Sequence, residues 1–510
     1  MNIFSHHNAG TTEEKGQDAR RTILSGTNLI GDICKTTLGP KGMLKILKSE
    51  GKSQNITNDG AFILKNLQID SAAARILINA SIGQDWEEGD GTTTVSVLSS
   101  LIINEISKLK IHPIKIIRGL RLAQERCEKV LEKISVTPSS SDIKSLIKTT
   151  LCSKVLKYDL EKFSDMCIQA VENLENKTDL NLIQIIKCPG KLEDSYLDDG
   201  FILNKECVIT PMKNPKILVA NTSLDQDKIK VFGAKISVNS VQDLAEMEKI
   251  EREKMMNKIE SICQNGVNCF INRQLIYDFP MQLLRTRNVQ PIEHADFDGI
   301  ERLNNVLGGK IISTFDKIDE SCYGTCEEIK NVVVGGKKVI KFSGIKKGAS
   351  TLVLYGSSKE MLDEAERSIH DALCVLLKIK QTPKIVYGGG SCEMAMAVEL
   401  SKYALEISGV ESEAITAFSN ALQQIPVILS ENGGFNGIEL KSQLRVKHNS
   451  GLSSFGINLN KGEICCMKEA SVIDSYRIKK RVISASSEVA QMIIKCDGIV
   501  KCKPRERTRH

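Results

Sequence analysis

The feature that most constrains the fold is a change of periodicity along the chain: both outer thirds repeat apolar residues at helical spacing, and the middle third does not. From Asp18 to Cys34, Ile23, Ile30 and Cys34 fall on one helical stripe, and from Thr94 to Leu109 the stripe is Val95, Leu98, Ile102, Ile106 and Leu109. Helical spacing returns from Lys359 and persists to a basic tail, Lys503-Pro504-Arg505, expected to fray. Between Leu180 and Ile209, short apolar runs alternate with turn residues, which predicts strands. Lys216 to Ala220 and Asn331 to Val334 read as buried strands with helices between them. A chain of 510 residues is too long for one core. The expectation is a multidomain α+β protein, helical in its outer parts and α/β in the middle, with a first break at Val136 to Ser141, where Pro138 and three serines interrupt the pattern.

Composition narrows the function classes. With 41% hydrophobic and 26% charged residues the chain reads as globular. Its net charge of +6 comes from 69 basic and 63 acidic residues spread along the sequence, so nucleic acid is not an expected partner. No run approaches the ~18 apolar residues of a membrane span, and Met1 to Thr12 lacks an apolar signal core, which makes the cytosol the expected compartment. The 16 cysteines are scattered, with no CxxC pair, and read as reduced thiols; Cys322 and Cys326 lack the second ligand pair of a zinc site.

Four glycine-rich sites carry the chemistry: Thr37-Leu38-Gly39-Pro40-Lys41-Gly42, Thr57-Asn58-Asp59-Gly60, Gly89-Asp90-Gly91-Thr92-Thr93-Thr94 and Tyr387-Gly388-Gly389-Gly390. Singly, each reads more readily as turn punctuation. The third is the most chemical, because glycines allow a phosphate to approach the backbone, three hydroxyls follow, and a helix begins with free N–H groups facing an anion. Asp90 would offer a hard oxygen to Mg²⁺. A Walker A loop is absent: Gly51-Lys52-Ser53 has Ile46 where the first glycine belongs, and Gly309-Lys310 and Gly336-Lys337 also fail.

In order and spacing, the four sites resemble the nucleotide-binding signatures of the group II chaperonins, and the resemblance covers essentially the whole chain. Cys269 to Tyr277, Glu293 to Phe297 and Glu366 to Cys374 resemble one particular subunit of the eukaryotic cytosolic chaperonin. The resemblance implies ATP/ADP and Mg²⁺ as cofactors, Asp90 as the metal ligand, and Asp59 and Asp371 as the catalytic aspartates that position water. It assigns nucleotide contacts to Thr37, Leu38, Gly39 and Pro40, to Gly91, Thr92, Thr93 and Thr94, to Ser153 and Lys154, and to Gly389, Gly390, Asp474 and Lys479. Asp474 replaces an expected glutamate. Cys466, in Gly462 to Met467, replaces an expected aspartate and puts the C-terminal side of the pocket in question. From helical periodicity alone, Asp371 falls nearly opposite the apolar face of Leu362, Ala365, Ile369 and Leu376, where a solvated carboxylate is expected.

The implied architecture is an equatorial ATPase domain (1–141 and 393–510), an intermediate hinge domain (142–210 and 351–392) and an apical substrate-binding domain (211–350). The amphipathic segment Val241 to Ile262 resembles the apical protrusion that serves as a lid. The implied partners are paralogous subunits in a hetero-oligomeric double ring and non-native client proteins, actin and tubulin among them. A mainly structural ring subunit with slow or absent hydrolysis is the alternative. A soluble metabolic kinase would need an acceptor site that the sequence does not offer.

Overall fold

The computed structural model describes residues 12–48, 54–174, 179–224, 241–264, 266–293, 295, 297–315, 318–345 and 348–501. The chain forms two compact units, one from Met1–Asp165 with Asp363–His510 and the other from Met166–Leu362.

The first unit opens with helices α1 (Gly16–Lys35), α2 (Gly60–Asn66), α3 (Ala72–Glu88), α4 (Thr92–Ser107), α5 (Pro113–Ile134) and α6 (Ser140–Cys152). The stripes expected in α1 and α4 are the buried ones: Ile23, Ile30 and Cys34 on the first, and Val95, Leu98, Ile102 and Ile106 on the second. Helix α4 also buries Ser96, Ser99 and Ser100, because it packs against α1 and α3. Ser99 satisfies its hydroxyl on the Val95 carbonyl, 2.7 Å away. Truncating a fully buried residue such as Leu98 to alanine would cost about 2–5 kcal/mol. The interruption at Val136 to Ser141 is real: Val136 bridges to Ile385, and α6 starts with a capping box in which the Ser139 hydroxyl and the Asp142 carboxylate each serve the other's backbone. Helix α7 (Leu160–Asn173) carries the chain into the second unit.

Among the described residues that unit holds three sheets. In one, Gln290–Ile292, Cys269–Asn272 and Lys216–Ala220 are parallel neighbours and Tyr323–Thr325 closes the edge antiparallel. Helices α8 (Val241–Cys263), α9 (Asp278–Thr286) and α10 (Phe297–Leu307) belong to the same unit. Met255, Ile259 and Ile262 of α8 enter a core with Leu218, Phe270 and Phe315, whose two rings stand 6.2 Å apart. Ile250, from the same stripe, is 52% exposed. The side chains of Val241, Leu244 and Met247, and the flanking Phe232, Gly233 and Asn265, lie outside the described residues, as does the basic tail. A second sheet orders Phe201–Leu203, Lys337–Ser343, Glu328–Val334 and Met212–Lys213 antiparallel. The strand expected at 216–220 is buried, whereas the one at 331–334 exposes Val333, because an antiparallel sheet can leave one face to solvent. In the third sheet, Ser350–Gly356 lies between Ile183–Pro189 and Tyr196–Asp198.

Helix α11 (Lys359–Gln381) returns the chain to the first unit, which α12 (Ser391–Glu406), α13 (Glu411–Asn432), α14 (Gly437–Asn449) and α15 (Tyr476–Lys495) complete. Gly498–Lys501 pairs antiparallel with Thr12–Lys15, so the first and last described strands meet. Two pairings build the candidate site. Ile385–Tyr387 aligns with Ile473–Ser475, setting Val386 opposite Asp474. The Asn432 amide, at the end of α13, donates to the carbonyls of Lys35 and Leu38, both 2.9 Å away, and anchors the loop that follows α1. Among the described residues no helix is long and apolar enough to cross a membrane, and every cysteine is a free thiol.

Candidate nucleotide site

Within the first unit lies a cavity of about 830 Å³. Thr37, Leu38, Gly39 and Pro40 line it, with Asp59, Asp90 and the run from Gly91 to Thr94. Ser153, Lys154 and Asp371 join them, and Gly389, Gly390, Asp474 and Lys479 close the other side. Segments far apart in sequence thus converge on one space, which is within the size range of small-molecule sites.

One wall is built on α2 and α4. Gly91 has φ +81° and caps α4 without a side-chain partner, so the first-turn N–H groups of α4 have no acceptor within their own helix. Such an end attracts anions. Gly39, at φ +86°, passes so near Leu429 that a Cβ would come within 2.5 Å of its side chain. Asp59 caps α2, accepting from the amides of Ala61 (3.1 Å) and Phe62 (3.2 Å), and also accepts from the Thr92 hydroxyl at 3.3 Å. The Gly91 amide donates to the Asp90 carboxylate at 2.6 Å, and the Gln84 side chain donates to the Asp90 carbonyl at 3.0 Å. Lys154 Nζ lies 3.0 Å from Asp371 Oδ2, with both side chains about nine-tenths buried.

This wall is electrostatically unbalanced. Burial would pull the Lys154 ammonium down, but Asp371, Asp59, Glu364 and Asp90 together hold it above its usual range. Burial pushes the Asp371 carboxyl well up, and Asp59 and Asp90 add to this while Lys154 opposes it. The Asp90 carboxyl is likewise pushed up by burial, against the pull of Lys154. Among the described residues no group of three His, Cys, Asp or Glu side chains forms a ready ligand set for a metal. The hard carboxylate oxygens that do line the cavity, those of Asp59, Asp90 and Asp371, suit Mg²⁺, which commonly takes one or two carboxylates and completes its shell with water and phosphate oxygens.

A second part of the lining uses similar elements with a different balance. Gly390, at φ +76°, caps α12 without a side-chain partner. Lys479 Nζ sits 2.7 Å from Glu393 and 2.9 Å from Asp474, forming a closed network. Burial alone would raise the Glu393 carboxyl, but Lys479 and the Cys392 thiol hold it below its usual range.

Two expectations need correction. Asp371 is buried at 7% exposure rather than solvated, because α11 is covered on the face opposite its apolar stripe as well, where Lys154 meets it. Cys466, expected to bear on the pocket, is not among its lining residues; its thiol lies 3.6 Å from the Ser454 hydroxyl. The neighbouring Met467 is fully buried, and its sulfur would lie 2.8 Å from a Cβ on Gly389, so the effect of this strand on the cavity passes through Met467. The sequence reading missed Glu393 and Gln84. For Glu393 a signal existed, an acidic residue in the first turn after the glycine run. Gln84 carried none.

Comparison with known proteins agrees with this geometry. Residues 30–504 match the model of the TCP-1/cpn60 chaperonin family. The chain belongs to that family. It is 67% identical over 509 residues to T-complex protein 1 subunit beta of Encephalitozoon cuniculi, with 100% of both chains covered. Identity to the subunit beta of Saccharomyces cerevisiae is 45% over 514 residues, covering 98% of each chain. To that of Homo sapiens it is 43% over 523 residues, covering 99% of this chain and 97% of the human one. The beta subunit is also the one that the stretches at 269–277, 293–297 and 366–374 resemble. The multidomain α+β architecture is accordingly the chaperonin fold.

Proposed function

We propose that this chaperonin chain is an ATP-hydrolysing subunit of a hetero-oligomeric cytosolic double ring that encloses and folds non-native proteins, actin and tubulin among its clients. The observation that carries the reading is the convergence of all the candidate residues, from Thr37 to Lys479, on a single cavity. In this reading ADP or ATP lies between the two walls, with its phosphates on the uncapped N-terminus of α4 and the Thr92, Thr93 and Thr94 hydroxyls. Asp90 would hold Mg²⁺, which offsets phosphate charge during transfer. Asp59 and Asp371 orient the attacking water. Each is itself held, Asp59 by the α2 amides and Thr92, and Asp371 by Lys154, so neither needs to reorganise as charge develops. Ser153 and Lys154 complete the phosphate side. Gly389, Gly390, Asp474 and Lys479 contact the rest of the nucleotide.

The domain division that accompanies this reading is equatorial at 1–141 and 393–510, intermediate at 142–210 and 351–392, and apical at 211–350, with α8 part of a built-in lid. The exposure of Ile250 on α8 supports that role, since it leaves an apolar side chain for a partner that arrives on closure. The test is native mass spectrometry of the endogenous complex, with the nucleotide retained at this subunit identified after a single turnover. A fixed position among related subunits, with ADP at this site, is expected. A homomeric particle that folds clients would refute the assembly, and ATP retained unhydrolysed would favour a structural subunit.

A further inference from the structure

Asp59 and Asp371 line a second cavity, of about 380 Å³, as well as the first. Helix α3 supplies Ile82, Asp85 and Trp86 to this chamber, and α11 supplies His370. The two aspartates therefore form a partition between two spaces. Around the partition the structure is braced: Arg367 lies 4.2 Å from the centroid of the Phe62 ring and 2.8 Å from the buried Glu364, tying α11 to α2. Trp86, the one tryptophan of the chain, is 90% exposed, so the chamber reaches solvent on that side.

Hydrolysis as proposed above needs a water opposite the leaving ADP oxygen, in line with the bond that breaks. With the phosphates on α4, that position faces Asp59 and Asp371. Water entering through the first cavity would have to pass a nucleotide bound there on the proposed reading. From the second chamber it has only the partition to cross. The lining charges suit water and not phosphate, because Asp59, Asp85, Asp363, Glu366 and Asp371 outnumber Lys65 and Arg367 and would repel a phosphate dianion.

We propose that the second chamber is the water port of the hydrolytic reaction, delivering the nucleophile to Asp59 and Asp371 from the side away from the nucleotide. The proposal rests on the hydrolytic reading above. In the step itself, the water oxygen bonds to the γ-phosphorus and the bond from that phosphorus to the bridging oxygen breaks, its electron pair staying on ADP. One water proton passes to a partition carboxylate and from there to water in the chamber, leaving ADP and inorganic phosphate.

The test varies side-chain volume at Ile82, which lines the chamber and not the first cavity. Rings carrying Ile82→Ala, Ile82→Phe or Ile82→Trp in this chain are compared with wild type for single-turnover hydrolysis at this subunit and for its ATP affinity. The expected result is a wild-type rate for alanine and a stepwise loss for the larger residues, reaching at least about tenfold for tryptophan, with affinity within about twofold throughout. A merely structural role would instead make the cavity-forming alanine variant the worst. Should Ile82→Trp fail to assemble, Lys65→Trp against Lys65→Ala repeats the comparison at another lining position. A rate indifferent to volume at both positions, or an affinity that falls in step with the rate, would overturn the port while leaving the ATPase reading intact. Absence of turnover at this subunit in the wild-type ring would overturn both.

Discussion

The two walls of the nucleotide cavity are built from the same parts and behave oppositely. Each has a helix capped by a left-handed glycine, and each has one deeply placed lysine among carboxylates. On the α12 wall Lys479 holds Glu393 below its usual range, as a settled ion pair does. On the α4 wall Lys154 is outnumbered, and burial pushes Asp371 and Asp90 up, with Asp59 and Asp90 adding to the rise at Asp371 and Asp474 adding to it at Asp90. One wall holds its nearest carboxylate below the usual range with a direct lysine contact, and the other gathers Asp59, Asp90, Glu364 and Asp371 around one lysine, a negative excess that Mg²⁺ would relieve. The difference separates scaffold from chemistry without any ligand in view.

The largest expected effect is on turnover. On the proposed reading Asp371 orients water, so Asp371→Asn should slow single-turnover hydrolysis at this subunit by about 10²–10⁴-fold with little change in ATP affinity. Glu393→Gln should leave the rate within a few-fold. Comparable losses from both would erase the distinction between the walls. Next in size, Asp90→Ala should weaken Mg-nucleotide binding by roughly tenfold, and chelating Mg²⁺ from the wild type should bring it to the same level. Calorimetric titration of the purified chain with and without Mg²⁺ measures both.

Stability should move the other way. Glu393→Gln breaks a buried pair and should cost about 3 kcal/mol, a fall of several degrees in Tm. Asp371→Asn removes a carboxylate whose charged form the fold disfavours, but it also takes the nearest partner from the buried Lys154, so at neutral pH it should cost less than Glu393→Gln. The pH dependences also have opposite signs. The depressed Glu393 contributes stability that is fully present above its ordinary value of 4.5 and lost as pH falls through its lower folded value. The raised Asp371 carries a penalty that is fully present at pH above its folded value and relieved as pH falls towards 3.8. Thermal melts of the wild type and both variants from about pH 8 down to about pH 2.5 compare these slopes, the Glu393 change lying below 4.5 and the Asp371 change above 3.8. The smallest effect is expected away from both walls, at Gly83 on α3, where a Cβ meets nothing within 4 Å: Gly83→Ala should stabilise by about 0.5–1 kcal/mol and leave nucleotide affinity unchanged.

Helices α1 and α4 were legible in the sequence because their stripes follow local periodicity, and the glycine loops that line the cavity were legible because left-handed turns demand glycine at fixed offsets. That Asp371 lines the cavity was suggested only by the family resemblance. Its own helix gives it the wrong face, and the residue that buries it, Lys154, comes from a distant segment. Gln84 and Glu393 escaped for the same reason, since their partners Asp90 and Lys479 are set by how α3 meets the loop and how α15 meets α12. Val333 was misread because an apolar run does not say whether both faces of its strand are covered.

The most direct measurement of the difference between the walls is the nucleotide found in this cavity, by cryo-electron microscopy, after rings have been given ATP for one wild-type turnover. Three rings are compared, with this chain wild type, Asp371→Asn or Glu393→Gln. The expected result is ADP in the wild type and in Glu393→Gln, and intact ATP in Asp371→Asn. ADP in all three, or ATP retained in Glu393→Gln and not in Asp371→Asn, would contradict the assignment of chemistry to the α4 wall.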